Sequence, residues 1–202
     1  MEIESKFLID QETAQKLRAL TEISGFKVTS QYEQPIKDIW FDNPERELCK
    51  KLTLYRLRRV SGKIIAGLKT RVGIVDSAHH MKEFEEEITK DQVPVFLANK
   101  LNIEPYLEAK KLVSSKPIEK VIDVTNNRHV MNFEKGEQLI ELAIDEVTYV
   151  GRKGEYKEIE LEIETKTADD QAFTEFAKEI EEKFELRRVN IGKYERAVEK
   201  VD

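Results

Sequence analysis

The chain has 202 residues, of which 40% are hydrophobic and 37% are charged, and its net charge is −6. This length suits a single domain over residues 1–202 with its own hydrophobic core. The acidic balance argues against a nucleic-acid partner, which requires a basic surface. The single cysteine, Cys49, rules out an internal disulfide and favours a cytoplasmic location. No apolar run approaches the roughly 20 residues of a membrane span, so no membrane partner is expected.

Alternating charges at the amino terminus predict a strand over residues 2–9, because successive side chains of a strand point to opposite faces. Asp10 offers an acceptor that can begin a helix, and we expect Gly25 to end that helix. Five more strands are predicted in this half of the chain, over residues 28–32, 38–41, 52–60, 64–71 and 82–89. Turns or loops are expected between them, at residues 34–35, 42–44, 61–62 and 72–80.

The second half of the chain begins with two predicted helices, over residues 91–101 and 105–113. Long strands joined by hairpin turns follow, over residues 119–133, 138–150 and 156–165. Asp169 or Asp170 is expected to cap a carboxy-terminal helix with one apolar face. The pattern predicts an α+β protein with a large antiparallel sheet that is curled or closed.

Acidic and basic side chains are sorted onto different predicted strands. Glutamates occupy every second position from Glu158 to Glu164, while Arg56 and Arg58 share one face of another strand. A solvent-exposed face commonly explains charge alternation in a single strand, but such faces usually mix signs because like charges repel across strands. We therefore favour a sheet whose charged faces converge on a polar lumen and whose apolar faces are covered from outside by helices.

A lumen of this kind suits a polyanion bound together with a divalent metal. Neighbouring inward carboxylates such as Glu2 and Glu4 are ligands that Mg²⁺ and Mn²⁺ prefer, and arginine matches the geometry of phosphate oxygens. Phosphoryl transfer depends mainly on positioning and charge neutralisation, which these residues supply. The histidines His79, His80 and His129 lack zinc-ligand spacing, and no glycine-rich phosphate loop occurs. We expect His79 and His80 to be exposed in the polar loop.

In this order along the chain, the charged motifs resemble the signature of the CYTH superfamily, the triphosphate tunnel metalloenzymes. Glu2-x-Glu4-x-Lys6 resembles its first motif and the segment 192–197 its last. The family's remaining motifs lie between these two, and the segments of this chain that resemble them are Arg56-x-Arg58, Lys69, Glu83-Phe84-Glu85, Asn126-Asn127-Arg128, Asp145 and Glu158-Ile159-Glu160-Leu161. Asn126 departs from the family's lysine. The resemblance implies an eight-stranded antiparallel β-barrel, open as a tunnel, with a polar charged lumen and helices packed outside.

The resemblance also implies metal-dependent hydrolysis of inorganic triphosphate, thiamine triphosphate or a nucleoside triphosphate, with Mg²⁺ or Mn²⁺ as cofactor. On this basis we assign the catalytic residues as Lys6, Glu4 and Glu85. The triphosphate-binding residues are assigned as Lys6, Arg56, Arg58, Lys69, Arg128 and Lys193. The metal ligands are assigned as Glu2, Glu4, Glu158, Glu160 and Asp145.

Two other functions are compatible with the same lumen. A class IV adenylyl cyclase would convert ATP to cyclic AMP and pyrophosphate, whereas a non-catalytic module would only bind polyphosphate or a nucleotide. We favour hydrolysis, because a cyclase must also bind base and ribose and no clear adenine-reading set of residues is visible. The partner expected in either enzyme is a small-molecule triphosphate, and the protein is expected to be a monomer or a homodimer.

Overall fold

An eight-stranded antiparallel barrel dominates the computed structural model, which describes residues 2–75, 78–114 and 116–202, with the side chains of Glu2 and Val75 excepted. The barrel strands run in the order β3, β4, β5, β6, β1, β9, β8, β7, and pairing of β7 with β3 closes it. Their bounds are β1 Glu2–Leu8, β3 Phe26–Asp42, β4 Thr53–Val60, β5 Lys63–Val75, β6 Ala78–Glu87, β7 Glu119–Lys135, β8 Gln138–Gly151 and β9 Gly154–Thr165. The two-residue strand β2, Glu22–Ile23, pairs with the start of β3. The predicted α+β barrel is confirmed.

Six α-helices lie in the described part of the chain. They are α1 Gln11–Arg18, α2 Glu47–Lys50, α3 Val93–Leu97, α4 Glu104–Leu112, α5 Asp170–Lys183 and α6 Lys193–Val201. Two predicted caps are confirmed: Asp10 Oδ1 accepts from the Thr13 N–H at 2.8 Å, and Asp169 Oδ1 accepts from the Ala172 N–H at 2.8 Å. Among the described residues, no helix combines the length and the apolar character that crossing a bilayer requires.

Strand alternation separates an apolar outer face of the barrel from a charged inner face. Phe7 and Leu161 point outward into a core that includes Phe176 of α5. Tyr55 points outward into a second core that includes Phe96 of α3. Because helices cover these outer faces, the charged side chains of the same strands are left to line the inside of the barrel.

A third apolar core lies at the end of the barrel nearest α6. Trp40, Val147 and Tyr149 contribute from the strands, and Tyr194 and Val201 contribute from the helix. The Tyr194 hydroxyl also donates to Asp42 Oδ2 at 2.9 Å. The helix thus lies against the inward-facing side chains at this end, and it brings its own charged residues toward the lumen.

The turn predicted at residues 34–35 is wrong, because β3 runs without interruption from Phe26 to Asp42. Pro35 lies opposite Asn127 of β7, and pairing with β4 begins only at Ile36. Proline cannot donate to a ladder, but it is tolerated where one side of a strand has no neighbour. Long-range pairing with β7 therefore overrides the local turn signal.

The predicted polar loop over residues 72–80 is also wrong, apart from residues 76 and 77, which lie outside the described part. β5 continues to Val75 and β6 begins at Ala78, with a register shift between Arg71 and Gly73. His79 is consequently buried, not exposed. The two strands extend here because their backbone groups pair with each other whatever their side chains.

The first helix ends earlier than predicted, at Arg18, and Gly25 belongs to a different feature. Ser24 and Gly25 have φ values of 49° and 75°, and they turn the chain from β2 into β3. The helix predicted over residues 91–101 is a 3₁₀ turn, Lys90–Gln92, followed by the short α3. The helices α2 and α6 were not predicted.

Candidate active site

A cavity of about 260 Å³ lies inside the barrel, and its described lining is rich in both signs of charge. Its basic side chains are Lys6, Arg56, Arg58, Lys69, Arg71, Arg128, Lys166 and Lys193. Its acidic side chains are Asp38, Glu83, Glu85, Glu141, Glu162, Glu164 and Glu195. Six of the basic residues are the ones that the sequence assigned to phosphate binding.

One side of the cavity is built from β4, β5 and β6. Arg56 lies opposite Gly67, which lies opposite Glu85. Because Gly67 has no side chain, Arg56 reaches across β5, and its Nη2 donates to Glu83 Oε1 at 2.8 Å and to Glu85 Oε1 at 3.1 Å. The arginine strand β4 and the Glu-Phe-Glu strand β6, which flank β5, therefore present side chains to one space.

Arg58 occupies the same inward face as Arg56, two residues further along β4. It donates to both carboxylate oxygens of Asp38, from Nε at 3.0 Å and from Nη2 at 2.8 Å. Arg59 has the opposite orientation and is exposed. The fork geometry that Arg58 uses for this carboxylate is the one that also suits a phosphate group.

Another side of the cavity places Lys6 between two carboxylates. Lys6 Nζ lies 2.8 Å from Glu4 Oε1 and 3.4 Å from Glu162 Oε1. Lys69 Nζ donates to the second oxygen of Glu4 at 3.2 Å. Arg128 contacts the same cluster, because its Nη2 donates to Glu162 Oε2 at 2.6 Å. These ion pairs join β1, β5, β7 and β9 into one charged network.

Helix α6 adds two cations to this network. Lys193 Nζ lies 2.9 Å from oxygens of both Glu160 and Glu162, and it also contacts Asp145. Arg196 donates to Glu158 from Nε at 3.0 Å and from Nη2 at 2.7 Å, and it contacts Glu160. Glu158 and Glu160 of β9 are thus paired with cations of the carboxy-terminal helix.

Burial and charge act in opposite directions on the ionisation of this network. Burial alone would raise the pKa of Glu162, but Lys193, Lys6 and Arg128 hold it well below its usual value. Burial would lower the pKa of Lys6, but its carboxylate neighbours raise it above the ordinary value. Glu160 differs, because burial is the dominant effect and raises its pKa. Among these groups the cations favour ionisation of Glu162 and the carboxylates favour ionisation of Lys6, whereas burial favours the neutral form of Glu160.

Two predicted metal ligands are fully occupied by protein donors. Asp145 accepts from Arg128 at 2.7 Å on each oxygen, from Asn126 at 2.9 Å and from Lys193. Both oxygens of Glu158 accept from Arg196, and the Tyr149 hydroxyl donates to Glu158 at 2.7 Å. The side chain of Glu2, a third predicted ligand, lies outside the described residues.

Four residues to which the sequence reasoning gave no site role are central to the observed geometry. Glu162, Asp38 and Glu83 each bind a cation that was predicted, and Arg196 binds Glu158. Glu162 could have been assigned a role, because the sequence already placed it on one face with Glu158 and Glu160. Asp38 and Arg196 carry no comparable local signal, since their partners lie 20 and 38 residues away.

Cysteine chemistry finds no support at this site. Cys49 lines the cavity, but burial and the nearby charge of Asp42 raise the pKa of its thiol to about 11. The thiol is therefore protonated at neutral pH and is a poor nucleophile.

Comparison with protein families identifies the chain. The CYTH domain model matches residues 1–196, which include every strand of the barrel and all of the described cavity lining. The chain belongs to the CYTH domain family. No curated protein sequence matches this CYTH chain.

Solved structures share the CYTH barrel. A proposed adenylate cyclase from Bacillus halodurans is 19% identical, with a TM-score of 0.69 and coverage of 97% of this chain and 96% of that chain. A proposed adenylyl cyclase from Hippeastrum, described as having a dominant triphosphatase activity, is 18% identical, with a TM-score of 0.64 and coverage of 100% and 97%. A protein from Pyrococcus horikoshii OT3 is 20% identical, with a TM-score of 0.60 and coverage of 99% of each chain. At these identities the similarity establishes the fold alone.

CYTH enzymes generally use divalent metals, and the cavity offers donors of a suitable kind. Beside the cavity lie two buried carboxylate oxygens, Glu4 Oε1 at 2.8 Å from Lys6 Nζ and Glu160 Oε1 at 2.9 Å from Lys193 Nζ. The described His, Cys, Asp and Glu side chains form no group of three around one point. Mg²⁺ is commonly bound by one or two carboxylates together with water and substrate phosphates, and this donor set fits that mode.

Proposed function

We propose that this CYTH protein is a divalent-metal-dependent triphosphate hydrolase that acts inside its barrel. The observation that carries the proposal is the convergence of six predicted cations on one cavity that also holds paired carboxylates. A binding module would gain little from buried acids beside its anion site, because each acid weakens the binding of a phosphate. Carboxylates among phosphate-binding cations are useful where a metal must bind as well.

The ion pairs of the cavity suggest how a triphosphate would be bound. Arg58 donates two hydrogen bonds to the carboxylate of Asp38. Arg56 donates from Nη2 to Glu83 and to Glu85. Two oxygens of a tetrahedral phosphate group can accept the same pair of N–H bonds, so each arginine can exchange a carboxylate for a phosphate without leaving its strand. Charge-assisted bonds of this type contribute about 1.5–3 kcal/mol each.

Glu4, Glu160 and Glu162 are our proposed pool of metal ligands, since each is ion-paired with Lys6 or Lys193, and one or two of them would bind the ion together with water and phosphate oxygens. A bound divalent ion would supply charge neutralisation at the phosphate oxygens. This choice retains Glu4 and Glu160 from the sequence assignment and adds Glu162. Glu158 and Asp145 are instead proposed to hold the neighbouring cations in place.

Lys6 and Glu85 are proposed to act on the reaction itself. Lys6 is held by two carboxylates at the centre of the network, so it can neutralise charge that develops on the transferred phosphoryl group. The Glu85 side chain is 40% exposed beside Arg56, so its carboxylate can orient or deprotonate the attacking water. Glu4 stays ionised beside Lys6, because Lys6 and Lys69 outweigh the effect of burial and lower its pKa.

Product analysis tests the reaction. The protein should be incubated with inorganic triphosphate, thiamine triphosphate and ATP, each with Mg²⁺ or Mn²⁺, and every product identified. We expect orthophosphate release that stops in excess chelator, and Glu4→Gln should lower turnover at least about 100-fold with the fold intact by circular dichroism. Cyclic AMP as the main product of ATP, with little orthophosphate from any substrate, would identify a cyclase instead. Binding without turnover would identify a binding module.

Two neighbouring arginines provide a matched test of the strand register. Arg58→Ala removes an inward fork and should raise the KM for the triphosphate by about tenfold or more. Arg59→Ala removes the same charge from the exposed face and should leave KM within about twofold. Similar effects of the two substitutions would contradict binding inside the barrel.

A further inference from the structure

A groove of about 900 Å³ lies on the outer surface of the barrel and shares no described lining residue with the active-site cavity. Its apolar walls include Pro35 of β3, Ile64 of β5, and Val93 and Pro94 of α3. The charged residues of its described lining are Lys37, Arg59, Lys63 and Lys90, with no aspartate or glutamate among them. In a chain whose net charge is −6, a groove of purely positive sign favours an anionic occupant.

Strand pairing brings two of these cations together. Lys37 of β3 lies directly opposite Arg59 of β4, and both side chains are exposed. Within the described part of the chain, neither of them forms an ion pair. Asp123 of β7, the acid nearest along the adjoining strand, is instead paired with Lys120 at 2.5 Å. Because like charges directly opposite each other destabilise a sheet, an anion that reaches both cations is bound with advantage.

The edge of β3 offers backbone groups beside the same groove. On the side of β3 away from β7, the Val28 N–H donates to the Thr21 carbonyl, and pairing with β4 begins only at Ile36. Residues 29–35 therefore have no described strand neighbour on that side. Alternate N–H and C=O groups of such an edge are open to an added strand. This open edge leads into the groove at Pro35.

A protein segment fits these features better than a nucleic acid does. None of the described residues that line the groove is aromatic, so bases would find no stacking surface there. An extended peptide supplies a backbone for the strand edge, apolar side chains for the walls, and carboxylates for the cations.

We propose that the groove and the open edge of β3, residues 29–35, bind an acidic, extended segment of a partner protein. The segment adds a strand to β3 and places carboxylates against Lys37 and Arg59, with its apolar side chains on the walls of the groove. This surface lies outside the barrel, so the proposal does not depend on triphosphate hydrolysis.

Fluorescence anisotropy with a synthetic peptide tests the proposal. The probe is a labelled peptide that alternates glutamate and valine over about ten residues, which is the length of a long strand. We expect saturable binding with a Kd below about 1 mM, and the binding should weaken as salt is added. A peptide with lysine in place of each glutamate should not bind, and an oligothymidylate of similar length should bind more weakly.

Arg58 and Arg59 provide a reciprocal comparison. Arg59→Ala should weaken binding of the glutamate–valine peptide by about threefold or more, because an exposed ion pair contributes up to about 1 kcal/mol. Arg58→Ala removes a cation from inside the barrel and should leave the affinity for the peptide unchanged. This result would be the reverse of the effect expected for the two substitutions on the KM for triphosphate.

Lys37→Glu separates binding from stability. The substitution replaces a like-charge pair with an ion pair to Arg59, so the melting temperature should stay the same or rise. Affinity for the peptide should nevertheless fall by about tenfold, because the new carboxylate repels the probe. Lys157→Glu is the control, since Lys157 is 68% exposed on β9, and it should bind the peptide like the wild type.

Hydrogen exchange locates the bound peptide. Amides in residues 29–35 should exchange more slowly when the peptide is bound to the wild type, and Lys37→Glu should lose this protection. Absence of binding at about 1 mM, or equal affinity in the wild type, Lys37→Glu and Arg59→Ala, would overturn the proposal. Equal binding of the lysine peptide, or protection confined to other segments, would overturn it as well. Tighter binding of the oligothymidylate, weakened by the same two substitutions, would identify a nucleic-acid site instead.

Discussion

Gly67 shows at the scale of one residue how a missing side chain shapes the cavity. A Cβ placed on Gly67 would lie 3.3 Å from Arg56 Nε and 3.5 Å from Glu85 Oε1. Arg56 could then no longer cross β5 along its present path. The glycine is needed for this close approach and not for its backbone freedom, because its φ does not lie in the left-handed region.

Gly67→Ala is expected to weaken substrate binding without weakening the fold. Displacing Arg56 should raise the KM for the triphosphate by about fivefold, which corresponds to about 1 kcal/mol. Alanine is at least as favourable as glycine in a strand interior, so the melting temperature should stay the same or rise. Gly73→Ala on the same strand is the control, because no described atom lies within 4 Å of its Cβ position. Equal KM values for the two variants would show that Gly67 does not position Arg56.

Helix α6 illustrates at the element scale how a short segment completes a barrel. Its apolar side chains Tyr194, Ala197 and Val201 belong to the third apolar core, at the end of the barrel. Arg196 forms ion pairs with two glutamates of β9. The N–H of Gly192 donates to Glu195 Oε2 at 2.8 Å, which satisfies one free donor at the start of the helix. The helix therefore neutralises acids that the barrel alone would leave buried together.

Removing this neutralisation should destabilise the fold. Arg196→Met leaves Glu158 and Glu160 buried with fewer cations, and we expect a loss of about 3 kcal/mol in the free energy of unfolding. Urea denaturation measures this loss. Lys200→Met on the same helix is the control, because Lys200 is exposed and pairs with exposed Glu199 at 3.5 Å, so its effect should be close to zero. A difference of less than about 1 kcal/mol between the variants would contradict an anchoring role for Arg196.

Elements were predictable where their signals were local. The caps at Asp10 and Asp169 lie within one turn of the N–H groups that they accept from, and both were found. The turn predicted at Pro35 was wrong, because pairing with Asn127, 92 residues later in the sequence, overrides the local turn signal. The spacing of Tyr194, Ala197 and Val201 at intervals of three and four residues is helical, and it could have revealed α6.

At the scale of the whole molecule, the ion-pair network should make stability depend on acid pH. Burial would raise the pKa of Asp145, but Arg128 and Lys193 lower it to about 2. An aspartate in an unfolded chain titrates near pH 3.9, so the unfolded state binds this proton more readily. The stabilising effect is therefore complete above about pH 4 and is lost as the pH falls toward 2. The lowered pKa values of Glu4 and Glu162 act in the same sense, and the raised pKa of Glu160 partly offsets them.

Urea denaturation at a series of pH values tests this dependence. The free energy of unfolding should decrease between about pH 4 and pH 2, and the decrease should be shallower in Asp145→Asn, which cannot titrate at this position. The absolute stability of that variant should also be lower at neutral pH, because Arg128 and Lys193 lose a partner charge. A variant slope equal to that of the wild type would exclude Asp145 as a source of the acid sensitivity.

The sequence by itself determined which side chains share a face of each strand. Alternation with a period of two is a local property of an extended chain, so the shared face of Glu4 and Lys6, and that of Arg56 and Arg58, follows from spacing alone. The apolar residues between them likewise determined that helices must cover the outer face, since that surface has to be removed from water.

Only the tertiary structure decided which acid meets which cation. Arg58 meets Asp38 and Lys193 meets Glu162 because strands and a helix distant in sequence pack in one particular register. A shift of that register by one residue would turn a whole strand face from the lumen to the outside, and the local charge pattern does not specify the pairing partner. For the same reason the direction of the Asn126 amide could not be predicted, since it depends on Asp145 across the β7 and β8 pair.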